Sequence, residues 1–157
     1  MDRKKMDKHF IRLARLTAQN LSKDPITKAG AVIVSADTRQ ISLGYNGFPA
    51  GLPEPPEHWE RPHKYDRVIH AEINAVMNCP FDTKGCTLYC TTQPCHICLG
   101  HLRNAGIVRV VYSDTYKTMT TDHLCIWLEI AKLFDSIEQI HDVVAANLPE
   151  FIAAYDD

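Results

Sequence analysis

The sequence lacks the features that mark membrane-spanning, secreted or repetitive proteins. None of its apolar stretches approaches the roughly 18 residues that a transmembrane helix needs. No apolar run follows the charged segment of residues 1–8, so we expect no secretory signal peptide. There is also no internal repeat and no low-complexity tract. These absences favour a globular, cytoplasmic protein with no membrane partner.

The chain also lacks the surplus of positive charge that is typical of general nucleic-acid-binding proteins. Its 17 basic and 19 acidic residues give a formal net charge of −2. Proteins that bind nucleic acid usually carry a basic excess, so we expect no nucleic-acid partner. A length of 157 residues suits one domain, residues 1–157, which can bury a hydrophobic core without disulfides.

Hydrophobic periodicity predicts an α/β order of elements, and β-branched runs mark the strands. The predicted helices are 4–21, 70–79, 95–104 and 124–134, and the predicted strands are 30–34, 41–45, 86–92 and 107–113. Residues 137–155 are expected to hold a short strand and a helix interrupted at Pro149. The first two strands form a hairpin, and the later alternation favours parallel strands covered by helices. The prediction is a mixed sheet in an α/β sandwich.

Five of the nine prolines fall between residues 49 and 62. Proline excludes this segment from a helix interior or a central strand. Long irregular loops of this kind serve either as functional lids and binding loops or as passive surface segments. The sequence leaves both alternatives open.

Six cysteines remain to be explained: Cys79, Cys86, Cys90, Cys95, Cys98 and Cys125. In a reducing compartment they indicate metal ligands or buried thiols rather than a disulfide framework. Cys95 and Cys98, in the motif Pro-Cys-x-x-Cys, share one face at the start of a predicted helix. There, free N–H groups and the helix dipole stabilise thiolates. The pair could form half of a zinc site or a thioredoxin-like redox pair.

His70 favours the zinc site, because it begins another predicted helix and supplies a third ligand. Three protein ligands with a fourth position left for water are typical of catalytic rather than structural zinc. Two thiolates neutralise the charge of the ion, so the water needs a base. Glu72, two residues after His70, is the candidate.

The motifs His70–Glu72 and Pro94–Cys98 match the zinc-deaminase signature His-x-Glu followed by Pro-Cys-x-x-Cys. Over residues 24–116 the chain resembles the zinc-dependent cytidine/deoxycytidylate deaminase superfamily, and within it the deoxycytidylate deaminases. The segments that carry this resemblance are Asp24–Ala31, Gly44–Pro49, His63–Tyr65 with His70–Ala75, and Pro94–Cys98 with Ala105–Ile107 and Ser113–Tyr116. It implies a three-layer α/β/α sandwich with a five-stranded mixed sheet.

The resemblance implies a hydrolase that converts dCMP and water to dUMP and ammonia, feeding dTMP synthesis. One zinc ion per subunit is then held by His70, Cys95 and Cys98. Glu72 takes a proton from the attacking water, protonates N3 of the pyrimidine and passes a proton to the departing amine.

The resemblance also implies substrate contacts. Asn46 is expected at the sugar, the Ala71 backbone at the base and Tyr116 beside the nucleotide. A monophosphate needs cations or free amides. The candidates are Thr27 and Lys28 before the first strand, and Arg61, His63, Lys64 and Arg67 near the proline-rich loop.

Members of this superfamily are often homo-oligomers, hexamers or dimers, with dCTP and dTTP as allosteric effectors. The matching effector-binding positions are Gly44, Tyr45, Gly47 and Lys64, with Mg²⁺ accompanying the nucleotide. We expect Trp59, Trp127 and Phe134 to serve a subunit interface.

Three alternatives differ in substrate or class. The chain could deaminate a modified deoxycytidine nucleotide or dCTP. It could act on a nucleoside or tRNA base, although the net charge argues against tRNA. A zinc-stabilised binding module without activity would favour a closed four-ligand site, which the sequence does not offer.

Overall fold

The computed structural model describes residues 2–116 and 119–155, which form five helices and five strands. The helices are α1 (Arg3–Leu21), α2 (Ala71–Met77), α3 (His96–Asn104), α4 (Thr121–Ala131) and α5 (Val143–Tyr155). The strands are β1 (Gly30–Val34), β2 (Ile41–Tyr45), β3 (Thr87–Thr92), β4 (Arg109–Asp114) and β5 (Ser136–Gln139). These bounds confirm the predicted order of elements.

The strands form one mixed sheet in the order β2-β1-β3-β4-β5. The β1–β2 hairpin is antiparallel, and β1 also pairs antiparallel with β3. β3, β4 and β5 run parallel to one another and are joined by the helical crossovers α3 and α4. The five-stranded mixed sheet is therefore confirmed, and the carboxyl ends of β3 and β4 lie side by side at Thr92 and Asp114.

Helices cover both faces of the sheet, which gives the three layers that we predicted. On one face α1 and α5 pack over a small core that contains Ile11, Val32 and Val111. On the other face α2, α3 and α4 cover the larger core, around Leu88 and Leu99. The sheet interior is buried throughout β1, as expected for a strand with helices on both sides.

Two expectations about the fold were wrong. Trp59, Trp127 and Phe134 do not form an exposed interface, because all three are buried within the subunit. Trp127 and Phe134 belong to the larger core, and Trp59 stacks on Phe48 with ring centroids 4.1 Å apart. Helix α5 runs through Pro149 rather than being interrupted there.

The proline-rich segment is ordered by two short 3₁₀ helices, Pro56–Trp59 and His63–Asp66. The stacked Trp59 holds the first of them against the body of the protein. Among the described residues, no helix combines the length and apolarity that a membrane crossing requires.

A buried charge network ties α1 to the parallel strands at the end of the sheet opposite the β3 and β4 carboxyl ends. Arg109 donates two hydrogen bonds to the Asp7 carboxylate, at 2.7 and 2.9 Å, and two to Glu138. The Tyr89 hydroxyl donates to Asp7 at 2.7 Å. Burial alone would raise the pKa of the Asp7 carboxyl, but the bonds from Arg109 and Tyr89 outweigh it and lower this pKa.

This network predicts an acid-sensitive fold. A carboxyl whose pKa is lowered by folding stabilises the protein above its unfolded pKa of about 3.9, and this contribution is lost as the pH falls. The free energy of unfolding should therefore decline below about pH 5. In Asp7→Asn the decline should be shallower, and stability at pH 7 should be lower. Urea unfolding between pH 7 and pH 2.5 measures both, with the exposed Glu60→Gln as the control. An unchanged pH dependence in Asp7→Asn would contradict this role.

Candidate active site

Two helices begin at the carboxyl-end edge of the sheet, and the N-cap residue of each has a side chain that can bind a metal. His70 is the N-cap of α2, and Cys95 is the N-cap of α3. Cys98 lies in the first turn of α3, and its backbone N–H donates to the Cys95 sulfur at 3.3 Å. The sequence predicted helices starting at His70 and Cys95. The structure makes both residues caps, which leaves their side chains free to turn towards each other.

The ligand atoms of His70, Cys95 and Cys98 lie within 4.8 Å of one another. His70 Nδ1 is 3.1 Å from Cys98 Sγ and 3.8 Å from Cys95 Sγ. A tetrahedral zinc ion with the usual bond lengths holds nitrogen and sulfur ligands roughly 3.5–3.8 Å apart. The three side chains therefore fit zinc. Within the described residues no other His, Cys, Asp or Glu side chains form such a cluster of three.

The protonation states of the two thiols depend on each other, because the two sulfurs are hydrogen-bond neighbours. The hydrogen bond from the Cys98 thiol, together with that from His70, outweighs burial and lowers the pKa of Cys95 to about 4. The same bond and burial raise the pKa of Cys98. A cation placed between the sulfurs favours the deprotonated form of both, so metal binding releases a proton.

Glu72 faces this cluster from the first turn of α2. It is only 6% exposed, and burial raises the pKa of its carboxyl, although the neighbouring His70 opposes the shift. A buried carboxyl beside a metal site can take up a proton and return it, as general acid–base chemistry requires.

The cluster opens into a cavity of about 790 Å³, which is large enough for a mononucleotide. The walls come from the α1–β1 loop, the second 3₁₀ helix, the start of α2 and the ends of β3, β4 and β5. The lining residues are Thr27, Ala29, Asn46, Arg61, Lys64, Tyr65, Val68, His70, Ala71, Glu72, Thr92, Gln93, Cys95, Ser113, Asp114, Thr115, Tyr116, Gln139 and His141.

Asp24 organises one wall of the cavity. Its Oδ1 accepts from the N–H groups of Ile26 and Thr27, and its Oδ2 pairs with Lys64 Nζ at 2.5 Å. Asn46 donates to the same carboxylate at 3.2 Å. Burial alone would raise the pKa of the Asp24 carboxyl, but these bonds, led by the one from Lys64, lower it. One buried carboxylate thus connects the α1–β1 loop, the end of β2 and the second 3₁₀ helix.

The structure brings four of the five predicted substrate-binding residues to the cavity. Thr27, Asn46, Ala71 and Tyr116 line it, whereas Lys28 does not. As the first residue of α2, Ala71 has an N–H without a partner in the helix.

The Asn46 amide is fully engaged within the protein. Its oxygen accepts from Ser22 Oγ at 2.6 Å and from the Ala29 N–H at 2.9 Å. Its nitrogen donates to Asp24 and to the Thr27 carbonyl. The amide therefore shapes the cavity wall.

The predicted effector-binding residues have varied surroundings. Gly44 lets β2 approach α2 closely, since a Cβ there would lie 2.3 Å from the Ala71 carbonyl oxygen. Gly47 forms an isolated β-bridge with Ile69. Lys64 is buried against Asp24, and only Tyr45 presents a large exposed side chain.

Sequence reasoning missed the cavity residues on the far side from the proline-rich segment, notably Gln93, Gln139 and His141. A topological signal was available, because ligands of α/β sheets bind at the carboxyl ends of the parallel strands. Gln93 follows β3, and Gln139 and His141 end and follow β5.

Comparison with known proteins finds a matching family model and related deaminases. Residues 4–114 match the family model for the cytidine and deoxycytidylate deaminase zinc-binding region. Human deoxycytidylate deaminase is 40% identical over 116 residues, which cover 69% of this chain and 65% of the human protein. A deaminase from the luxG 3′ region of Aliivibrio fischeri is 36% identical over 125 residues, covering 80% of this chain and 81% of that protein.

A solved structure shows the same fold. The dCMP deaminase of the cyanophage S-TIM5, in complex with dCMP and dUMP, superposes with a TM-score of 0.70 at 26% identity. The superposition covers 89% of this chain and 99% of the cyanophage chain. By contrast, the chain spans only 65% of the length of the mammalian relatives that it matches.

The cluster predicts one zinc ion per chain. Replacing His70, Cys95 or Cys98 with Ala should lower the bound zinc at least about tenfold, because two ligands do not hold zinc tightly. Elemental analysis of dialysed protein measures the stoichiometry. Cys125→Ala, at an exposed cysteine, is the control and should keep the metal. Full retention of zinc in Cys98→Ala would contradict the site.

The Asp24–Lys64 pair predicts a large stability effect. Asp24→Asn leaves the Lys64 ammonium buried without a counter-charge, which costs about 3–5 kcal/mol. The control is the exposed pair of Lys23 and Glu54, where Lys23→Met should cost less than about 1 kcal/mol. Denaturant unfolding of both variants measures the difference. Equal losses of unfolding free energy in the two variants would contradict the role of Asp24 in stabilising the cavity wall.

Proposed function

Because this chain belongs to the cytidine and deoxycytidylate deaminase family, we propose that it is a zinc-dependent enzyme that converts dCMP and water to dUMP and ammonia. One observation carries the proposal. A buried carboxylate and a His/Cys/Cys metal cluster open to a single cavity that suits a mononucleotide.

The choice of dCMP is supported by the relatives. The human protein that matches at 40% identity is a deoxycytidylate deaminase. The cyanophage enzyme of the same fold was solved with dCMP and dUMP bound. The net charge of −2 disfavours a polyanionic substrate such as tRNA.

His70, Cys95 and Cys98 hold the zinc ion in the proposed enzyme. A zinc ion held by these residues would act as a Lewis acid and would lower the pKa of a water molecule. Two thiolates cancel the charge of the ion and weaken this effect, so a protein base is required as well.

Glu72 is that base. Its carboxylate accepts a proton from the water as the water oxygen bonds to C4 of the cytosine, and it delivers this proton to N3. The carbon is then tetrahedral. Glu72 next takes the remaining hydroxyl proton and passes it to the amino group, the C4–N bond breaks, and ammonia leaves. The water oxygen stays on C4 as the carbonyl of dUMP, and Glu72 ends unprotonated.

Recognition of the nucleotide uses the cavity walls. The free N–H of Ala71 donates to the base, and Tyr116 flanks the nucleotide. Arg61 receives the phosphate, together with the Thr27 loop that Asn46 and Asp24 hold in place. Support for Arg61 comes from its position in the lining over the Tyr65 ring, 5.6 Å from the centroid. Lys64 is a weaker phosphate ligand, because Asp24 already neutralises it.

We propose that residues 1–157 act as one catalytic domain in a cytoplasmic homo-oligomer. All six cysteines are free thiols, which suits a reducing compartment. Assembly is supported by apolar side chains of α4, of which Leu124, Ile126 and Leu128 are 41–49% exposed. Regulation by dCTP or dTTP with Mg²⁺ stays a prediction, for which Tyr45 is the most accessible contact.

The proposed chemistry predicts that Glu72→Gln loses activity but keeps its metal. The amide cannot accept the proton of the water, so kcat should fall at least about 10³-fold while zinc content stays at one per chain. Ammonia release from dCMP by the zinc-loaded protein is the measurement. Deoxycytidine, dCTP, 5-methyl-dCMP and adenosine are offered separately to define the substrate.

Strong turnover of dCMP by the unaltered protein is expected. Turnover of another member of the panel instead would replace the substrate and keep the mechanism. A zinc-loaded protein that deaminates none of the five compounds would contradict the proposal.

A further inference from the structure

Gln93 occupies a position in the cavity that the proposed chemistry does not use. It follows β3 directly and lies two residues before the metal-ligating Cys95. It lines the cavity and yet is only 7% exposed. Its backbone N–H donates to the Asp114 carbonyl at 2.7 Å, which continues the β3–β4 pairing and fixes the residue firmly.

The orientation of the Gln93 side-chain amide is set by the protein. Its oxygen, Oε1, accepts a hydrogen bond from the Tyr116 N–H at 3.1 Å. A backbone N–H can only donate, so the end of the amide that meets Tyr116 must be the carbonyl oxygen. The NH₂ group is then the end of the amide that remains available.

No described residue accepts a hydrogen bond from the Gln93 NH₂ group. Gln139, of the same type and in the same lining, is different. Its NH₂ group donates to the Ser113 carbonyl at 2.9 Å and to Thr115 Oγ1 at 3.1 Å. Because the Gln93 nitrogen is not fully buried and has no acceptor among the described residues, it is accessible from the cavity that the residue lines, where a bound ligand can accept its hydrogen bond.

We infer that the Gln93 NH₂ group donates a hydrogen bond to an acceptor oxygen of the bound pyrimidine nucleotide and determines its affinity. This inference rests on the proposed function. Gln93 lies two residues before the metal ligand Cys95 and accepts from the backbone N–H of Tyr116 in the same cavity lining, which puts the donor beside the proposed substrate. Through its oxygen the same side chain also holds the Tyr116 backbone.

Gln93→Glu tests the NH₂ donor separately from the tether, which is the hydrogen bond that the Gln93 side-chain oxygen accepts from the Tyr116 N–H. The carboxylate has the same shape and still accepts from the Tyr116 N–H, but it cannot donate. The KM for dCMP and the Kd for dUMP should each rise at least about tenfold, the effect expected for one lost hydrogen bond, while kcat changes less than about threefold. Ile26→Glu adds the same charge beside the cavity at an 86% exposed side chain that does not line it, and as the control it should change either constant less than about threefold.

Gln93→Leu removes both the donor and the tether, so it should be at least as impaired as Gln93→Glu. If Gln93→Glu binds and turns over like the unaltered protein while Gln93→Leu is impaired, Gln93 only positions Tyr116 and the inference is overturned. An equal loss in Ile26→Glu would overturn it too, since added charge would then explain the effect. Zinc content and thermal unfolding verify that each variant is folded.

The same variants locate the contacted oxygen. If the loss appears with dCMP and not with deoxycytidine, the acceptor is the phosphate; an equal loss with both places it on the nucleoside, and either result supports the inference. If the unaltered protein neither turns over dCMP nor binds dUMP, the proposed function and this inference fail together. If the unaltered protein turns over dCMP and both Gln93 variants have the same KM for dCMP and Kd for dUMP as it does, the proposed function stands and this inference fails.

Discussion

The site depends on the close packing of α2 against β2. Gly44 makes it possible, because a Cβ there would overlap the Ala71 carbonyl and the Ala75 backbone. Ser42 adds a hydrogen bond of 2.7 Å to the Ala75 carbonyl. This contact fixes where α2 begins and hence where His70 and Glu72 lie. Because α3 starts directly after β3, its cysteines are fixed by the sheet as well. The metal ligands are thus positioned by backbone packing rather than by flexible loops.

The substrate side of the cavity is held by a second, polar arrangement. Asn46 and Lys64 are buried and both bond to the buried Asp24, and Asn46 also donates to the Thr27 carbonyl, so the loop that carries Thr27 is held in place although it has no regular secondary structure. Leaving any member of such a network unpaired is costly in a low-dielectric interior. The arrangement therefore gives the cavity one shape. Because Asp24 neutralises the Lys64 ammonium, Lys64 attracts an anionic ligand less strongly, and Arg61 is the cation better suited to a phosphate.

Much of the fold could be predicted from the sequence, because periodicity and turn residues are local. The strands 30–34 and 41–45 agree with the structure to the residue. The motifs around His70 and Cys95 could be recognised equally well, since the type and spacing of metal ligands are properties of the sequence.

Local sequence patterns do not reveal which aromatic residues are buried in the folded protein. Trp127 was expected at an interface, yet it is buried and donates to the Pro94 carbonyl at 2.9 Å, 33 residues away in sequence. Asn46 looked like a free sugar ligand, and only the tertiary structure shows that its amide is already engaged. Gln93 and Gln139 are both glutamines that line the cavity, and the sequence does not show that only the NH₂ group of Gln139 has acceptors among the described residues.

The central claim is that the His70, Cys95 and Cys98 cluster and Glu72 act together on a cytosine nucleotide. The most direct measurement is a crystal structure of the zinc-loaded Glu72→Gln protein with dCMP. The account predicts one metal ion bonded to His70 Nδ1 and both sulfurs, with C4 of the cytosine facing the metal and N3 facing the residue 72 side chain. A metal bound elsewhere, or a nucleotide whose base points away from this cluster, would contradict it.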